Sequence, residues 1–300
     1  MPTSDHLPIA AERDARLDAE LAGLDALELA GRTRPPVAAR LWSATWPKLA
    51  ALSLGLVLWQ GVVASGWKPE YVLPGPSRVW DALWDQASTG TLWTALGNTG
   101  QRALVGFALS LVIGVVVGAL VSQIGVLRAA VGSFITGLQT MPSIAWFPLA
   151  LLLFKQSNAA IYFVVVLGAA PSIANGLITG VDNLPPLFRR AGRMMGASGL
   201  TLFRHVVLPG ALPSFIGGIK QGWAFAWRSL MAGELIVIIA NQQSIGERLD
   251  NARQLSDSPT LVAYMLVILA IGIALDALVF GAAERAVRRR WGLAGSTVEG

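Results

Sequence analysis

Residues 190–213 read RAGRMMGASGLTLFRHVVLPGALP and form a basic, helix-prone stretch between strongly apolar segments of the chain. Gly196 separates two runs of helix-favouring residues, and Pro209 follows the second run. Glycine commonly closes a helix in a left-handed conformation, and proline cannot continue one. The stretch therefore predicts a helix that Gly196 closes and a second helix that Pro209 ends.

The residues on either side of Gly196 extend this prediction to a structure that we call the elbow, residues 185–209. The Pro185-Pro186 pair suits the first turn of the first helix, and Ser198 can cap the second. Both helices carry apolar residues at helical spacing, namely Leu187, Phe188, Ala191, Met195, Leu200, Leu202, Phe203, Val206 and Val207. An exposed apolar tip needs a partner to cover it. A helix that only lies on the membrane face is the alternative.

The composition indicates a membrane protein. The chain is 54% hydrophobic and 14% charged, with a mean hydropathy of +0.56. A helix that spans a bilayer needs about 20 apolar residues, and six blocks approach that length: about 47–66, 103–123, 130–154, 159–180, 212–240 and 260–282. Backbone inside hydrocarbon must satisfy its own hydrogen bonds, and the long runs do not fit the short alternating strands of a barrel. We expect an all-α membrane protein with six transmembrane helices.

The distribution of basic residues predicts the orientation. With six spans, the basic groups before the first span, in the loop 181–211 and after the last span lie on one side, which the positive-inside rule assigns to the cytoplasm. We expect a partly disordered cytoplasmic tail at 1–45, a transmembrane domain at 46–285 that contains the cytoplasmic loop 182–211, and a cytoplasmic tail at 286–300. This topology explains the basic pI, so we infer no binding to nucleic acid.

The elbow resembles the EAA loop of ABC transporter permeases, whose signature reads E-A-A, three residues, G, nine residues, I, any residue, L-P. Ala191, Gly196, Val206 and Leu208-Pro209 take the matching positions. Arg190 and Gly192 depart from the glutamate and the second alanine. The resemblance implies a membrane subunit whose coupling helix docks on a separate ATPase, through Arg190, Ala191, Arg193, Gly196, Ala197, Ser198, Leu200, Phe203, Leu208 and Pro209.

Over about residues 70–292 the chain is similar to permeases of the nitrate, sulfonate and taurine import group. The motifs that carry this are Leu73-Pro74-Gly75-Pro76-Ser77, Arg102 with Gly106-Phe107, Met141-Pro142, Trp146-Phe147-Pro148-Leu149, Gly196-Ala197-Ser198, Trp227 with Ala232-Gly233-Glu234, Ile245-Gly246, Asp276 and Glu284-Arg285. A Phe-Gly-x-Gly turn of the group is replaced by Phe154 followed by Lys155-Gln156-Ser157.

This resemblance implies a type I ABC importer permease fold and a set of partners. The expected partners are an ATPase subunit that binds ATP and magnesium, an external solute-binding protein, membrane lipid and a second copy of the permease. The implied cargo is nitrate, taurine, another alkanesulfonate or another small organic ion, carried across the plasma membrane. No cofactor is expected in this chain.

Several spans carry residues that predict a path for the solute. Thr140-Met141-Pro142 and Pro148 imply a kink or a discontinuity in the third span, and Pro171 does so in the fourth. Ionisable side chains in a span usually face protein or water. We therefore assign the solute path to Met141, Trp223, Trp227, Arg228, Met231 and Glu234. For Arg228 and Glu234, an ion pair or hydrogen bond that fixes helix packing is the alternative.

The sequence argues against other classes of protein. It contains no G-x-x-x-x-G-K-[ST] motif, no cysteine and no metal-ligand spacing, so we expect no enzyme activity in this chain. A secondary transporter would usually show more spans and an internal repeat. A secondary transporter and a membrane scaffold, both without ATPase coupling, stay the alternatives to the permease.

Overall fold

A computed structural model describes residues 37–240 and 242–290, and in this part of the chain every regular element is a helix. The chain divides into one unit that ends at Ala64 and a second that begins at Ser65. The described part of the first unit is helix α1, Val37–Ala64, in which Thr45–Ala64 is long and apolar enough to span a membrane. The helix thus begins before the boundary at 45 that the sequence suggested. Residues 1–36 of the predicted tail lie outside the described residues.

The second unit contains eleven further α-helices, joined by a 3₁₀ turn and two π-helical turns. The helices are α2 (Pro76–Ser88), α3 (Thr91–Gln123), α4 (Gly125–Thr140), α5 (Phe147–Phe154), α6 (Asn158–Asp182), α7 (Pro186–Met194), α8 (Gly199–Leu202), α9 (Leu208–Ile236), α10 (Ile245–Gln254), α11 (Ser258–Leu275) and α12 (Gly281–Arg290). The 3₁₀ turn is Ser143–Trp146, and the π turns are Phe203–Val207 and Asp276–Phe280.

Five helices of the described chain are long and apolar enough to cross a membrane, and a sixth span results if the bent pair Gly125–Thr140 and Ser143–Phe154 counts as one. This agrees with the six predicted spans. The two parts of the pair meet at an angle of 103°, so the third span is discontinuous at Met141 and Pro142. Proline at this position removes a backbone donor and disfavours helix in the residue before it. The predicted tail at 286–300 is helical up to Arg290.

The helix ends differ from the predicted span boundaries, most clearly in the second and fifth spans. The second span begins at Thr91 rather than near 103, because Thr99 and Arg102 are buried in polar contacts inside the bundle and the helix continues through them. The fifth span ends at Ile236 rather than near 240, and Val237 already has an extended backbone. Runs of apolar residues locate a span well but miss the polar turns at its ends.

Helix α6 lies at the centre of the second unit, packed against α3 on one side and α9 on the other. Glycines set these approaches. A Cβ on Gly176 would lie 2.4 Å from the Cα of Gly218, and a Cβ on Gly114 would lie 2.7 Å from the Cβ of Ile173. Small residues let helix backbones approach closely inside membranes. Gly118, four positions further on, makes the same kind of approach, since a Cβ there would lie 2.9 Å from the carbonyl oxygen of Ala174.

Helix α2 precedes the second span and lies along the bundle. One face packs against α11 and α3 through Val79, Leu83 and Ala87. Trp80 and Trp84 lie next to this face and are exposed. Tryptophan is favoured at membrane–water interfaces. The helix is therefore packed on the bundle and also presents an aromatic edge suited to an interface.

Candidate functional site

The first arm of the elbow is α7, which begins at the Pro185-Pro186 pair as the sequence predicts. It ends in a glycine cap: Gly196 has φ of +83°, its N–H donates to the carbonyl of Arg193, and the N–H of Ala197 donates to that of Gly192. These two bonds form a Schellman motif, which closes a helix and fixes the direction of the chain after it. The predicted break at Gly196 is confirmed.

The second arm of the elbow differs from the prediction. Ser198 is the N-cap by backbone position, but its side chain makes no capping hydrogen bond. Pro209 does not end a helix: α8 continues through the π turn into α9, and Gly199–Ile236 forms one helical stretch. The π turn changes the hydrogen-bond spacing just before Pro209, in the first turn of α9, where a missing N–H is tolerated. The second arm is therefore continuous with a spanning helix.

The two arms pack closely where the sequence departs from the EAA signature. Gly192 is buried, and a Cβ at this position would lie 2.6 Å from Leu202 Cδ1 and 3.0 Å from Val206 Cγ2. The base of α7 is fixed by Arg189, which donates to the carbonyl of Val181 at 2.7 Å. Glycine in place of the second alanine thus allows the arms to meet side by side.

The tip of the elbow is an exposed apolar surface with a basic rim. Met194, Met195 and Leu200 are 82%, 78% and 78% exposed, and Leu187 and Phe188 are exposed beside them. Of the predicted coupling residues, Arg190, Arg193, Gly196, Ser198 and Leu200 are exposed, whereas Ala191, Ala197, Phe203, Leu208 and Pro209 are partly buried. The exposed subset forms the surface, and the others form the base that holds it.

A polar cluster lies at the end of α9 away from the elbow and joins four helices, α3, α6, α9 and α10. The carboxylate of Glu234 accepts hydrogen bonds from the Thr99 hydroxyl, from Arg102 Nη1 at 3.1 Å and from the N–H of Gly246 at 3.1 Å. Arg102 also donates through Nε to Asn158 and through Nη2 to Gln242. For Glu234 the structure therefore shows the ion pair that the sequence analysis kept as its alternative.

The fold separates the six residues that the sequence analysis assigned to the solute path. Trp223, Met231 and Glu234 are buried within the unit, and Trp223 packs edge-on against Phe107 with ring centroids 5.1 Å apart. Trp227 is partly buried. Arg228 and Met141 are exposed and line the same cleft, at the break in the third span. The structure thus brings together Met141 and Arg228 and places the other four away from that cleft.

Comparison with known protein families and sequences gives consistent matches. Residues 110–292 match the family model described as "Binding-protein-dependent transport system inner membrane component". The chain is 30% identical to the putative aliphatic sulfonates transport permease protein SsuC of Escherichia coli K12, over 74% of this chain and 83% of the relative. It is 31% identical to the riboflavin transport system permease protein RibX of Chloroflexus aurantiacus, over 81% and 91%. It is 26% identical to the nitrate import permease protein NrtB of Leptolyngbya laminosa, over 69% and 75%.

Solved structures with the same fold are also found. An inward-facing structure of the MetNI methionine ABC transporter has a TM-score of 0.57 at 21% identity, over 65% of this chain and 95% of that chain. At this identity the likeness concerns the fold. Together with the apolar helices, it confirms the expected all-α membrane architecture of an importer permease.

Proposed function

Because this chain belongs to the family of binding-protein-dependent transport system inner membrane components and is the multi-pass permease of an ABC importer, we propose that the elbow is the site at which a separate ATPase drives it. The observation that carries the proposal is the apolar tip of Met194, Met195 and Leu200, which is about four-fifths exposed and has a basic rim. Exposed apolar patches of this kind mark sites that bind a partner. The family also argues against the secondary transporter and scaffold alternatives.

The continuity of the second arm with α9 supplies the means of coupling. A helix from Gly199 to Ile236 connects the tip with the far end of the bundle, where Glu234 is bonded to α3 and α10. A force on the tip therefore acts on a spanning helix directly rather than through a flexible loop. For ATP turnover to drive import, the ATPase must bind the inward and outward states with different affinity.

Assembly and orientation follow from this proposal. The basic rim supports a cytoplasmic position for the elbow, and we propose that both termini lie on that side. One subunit provides a small bundle, so we propose that two copies enclose the path, surrounded by membrane lipid. The binding protein would deliver the solute at the end opposite the elbow. ATP and magnesium would be held by the ATPase subunit.

The proposed cargo is a small anion of the sulfonate or nitrate type. The names of SsuC and NrtB support this class, and the exposed Arg228 in a spanning helix supports an anionic solute. A larger heterocyclic solute is the second candidate, because RibX is as similar to this chain as SsuC is.

The test replaces apolar residues at the elbow tip and compares them with an equally exposed leucine elsewhere. Met195→Asp and Leu200→Asp should abolish co-purification of the cognate ATPase and ATP-dependent uptake into vesicles, with insertion in the membrane unchanged. Leu255→Asp, at a residue that is 80% exposed beyond α10, should keep the ATPase bound. Retention of the ATPase by both elbow variants would show that the elbow is not its docking site.

A further inference from the structure

The break in the third span opens a cleft beside α9. This cleft has a volume of about 300 Å³ and is lined by Met141, Pro142, Ser143, Gly168, Phe225 and Arg228, among others. Its lining residues are apolar or uncharged polar with the exception of Arg228, so within the described residues the cleft has a net positive wall. Non-helical backbone at membrane depth is tolerated where it lines a cavity. The position of the break therefore points to a space that the solute uses.

Arg228 differs from Lys220 and Arg102, two other cations of the spanning helices. Lys220 lies 3.3 Å from Asp276, and Arg102 is bonded to Glu234. Arg228 forms no ion pair with any acidic residue of the described chain; it lies over the ring of Phe225, with its guanidinium carbon 5.6 Å from the ring centroid. Asp276, which borders a second cleft beside Arg228, is already paired with Lys220. An unpaired charge in a span is costly, and such residues usually serve a function.

The back of the cleft holds a hydroxyl without a partner. Ser229 Oγ is buried and makes no hydrogen bond in the described structure. A Cβ on Gly168 would lie 2.5 Å from this oxygen and 3.5 Å from the Cβ of Ser143. The hydroxyl thus occupies the space that a side chain at residue 168 would fill, and it is covered by Gly168 rather than open to the cleft. Buried polar groups without a partner are rare and call for a specific explanation.

We propose that Arg228 and Ser143 form a binding site for the oxyanion group of a transported solute, a sulfonate or a nitrate. The inference deepens the proposed function and rests on it. A guanidinium presents planar paired donors that match the oxygens of such groups, and the Ser143 hydroxyl adds a donor from the broken third span. The site lies about 12 Å before the end of α9 at Ile236, at 1.5 Å per residue. This depth favours a solute over a lipid phosphate.

The absence of cysteine from the chain allows a direct test. In Ser143→Cys, the thiolate attacks a methanethiosulfonate reagent, forms a mixed disulfide and releases methanesulfinate. The rates for the 2-sulfonatoethyl reagent, itself a sulfonate, and for the 2-(trimethylammonium)ethyl reagent are measured on the full-length permease–ATPase complex. Nanodiscs of zwitterionic lipid exclude anionic headgroups. Each rate is divided by that of Ser88→Cys, at the exposed end of α2.

The expected result is a preference for the anionic reagent at residue 143 that depends on Arg228. This preference should fall about tenfold in Arg228→Gln and persist in Arg228→Lys, since one positive charge near the thiolate attracts one reagent and repels the other. Ile144→Cys, on the same cleft, repeats the measurement if Ser143→Cys does not fold. Free ethanesulfonate should slow labelling by the anionic reagent only where Arg228 is present. Anionic lipid added instead of ethanesulfonate should not slow this labelling.

An equal preference in Arg228→Gln and the parent, or protection by anionic lipid alone, would overturn the proposed site. The labelling requires neither ATP nor transport, so it is independent of the elbow experiment. If the ATPase does not co-purify with a permease whose elbow is unaltered, the proposed coupling is refuted and the labelling result stays valid. If Arg228→Gln leaves both the preference for the anionic reagent and import unchanged, the anion site is refuted and the proposed coupling stays valid.

Discussion

Arg102 and Glu234 form an ion pair that is closed off from solvent, with Arg102 Nη1 3.1 Å from Glu234 Oε1 and side chains 5% and 0% exposed. The pair joins α3 to the last turns of α9, and the N–H of Gly246 joins α10 to the same carboxylate. The end of α9 away from the elbow is therefore held by charge-assisted hydrogen bonds. A helix that is fixed at one end and driven at the other can transmit a displacement.

Replacement of Arg102 by methionine should strongly destabilise the permease. The substitution leaves the Glu234 carboxylate buried without its cation, and breaking a buried pair typically costs about 3–5 kcal/mol. The unfolding midpoint in nanodiscs, followed by tryptophan fluorescence, measures the effect. Arg78→Met is the matched control, because the Arg78–Glu70 pair is exposed and such pairs contribute about 0–1 kcal/mol. Similar midpoints for the two variants would contradict the stabilising role of the buried pair.

Gly196→Val should weaken ATPase binding without affecting insertion in the membrane. Nothing lies within 4 Å of a Cβ at this position, so the effect comes from the φ of +83° rather than from crowding. A left-handed conformation costs an L-residue roughly 1–2 kcal/mol, and asparagine adopts it more readily than valine. Gly196→Asn is therefore the control and should keep most of the binding. Co-purification of the ATPase is the readout, and equal binding by both variants would argue against a required cap geometry.

The elbow could be predicted from the sequence because its signals are local. Pro185-Pro186 and Gly196 act on their own backbone, so their effect does not depend on the rest of the fold. The continuation past Pro209 could not be inferred in this way. It depends on the π turn of Phe203–Val207, and a helix that changes its hydrogen-bond spacing has no fixed sequence pattern.

The Arg102–Glu234 pair could not be predicted because its partners are 132 positions apart in the chain. The polar residues Thr99 and Arg102 ended the apolar run and so hid the first turns of α3. One signal was available: no proline occurs between Pro76 and Pro142, which permits a longer helix. The pairing itself required the packing of α3 against α9.

Gly176→Ala should destabilise the centre of the bundle. The new methyl would lie 2.4 Å from the Cα of Gly218, so α6 and α9 would have to separate. Overpacking of this kind typically costs about 1–3 kcal/mol. Gly132→Ala in α4 is the control: nothing lies within 4 Å of its Cβ, and alanine is favoured over glycine inside a helix by about 0.5–1 kcal/mol. The two unfolding midpoints should move in opposite directions; a shift in the same direction would show that the α6–α9 crossing tolerates a methyl group.

Asp250 should stabilise the permease at neutral pH and lose this effect in acid. The Arg253 guanidinium, which donates to Asp250 Oδ1, lowers the pKa of this carboxyl below its ordinary value of 3.8, against the opposing effect of burial. A lowered pKa in the folded state means that the stabilisation is complete above pH 3.8 and disappears as the pH falls through the folded-state pKa.

Asp250→Asn should therefore lower the unfolding midpoint at pH 7 by about 2–4 °C, the shift that about 1 kcal/mol produces in a chain of this size. The difference from the parent should be constant from pH 7 to about pH 5 and close below the ordinary pKa of aspartate. Asp81→Asn, exposed on α2, should give no such pH-dependent difference, and a gap for Asp250→Asn that persists in acid would mean that the carboxylate charge is not its source.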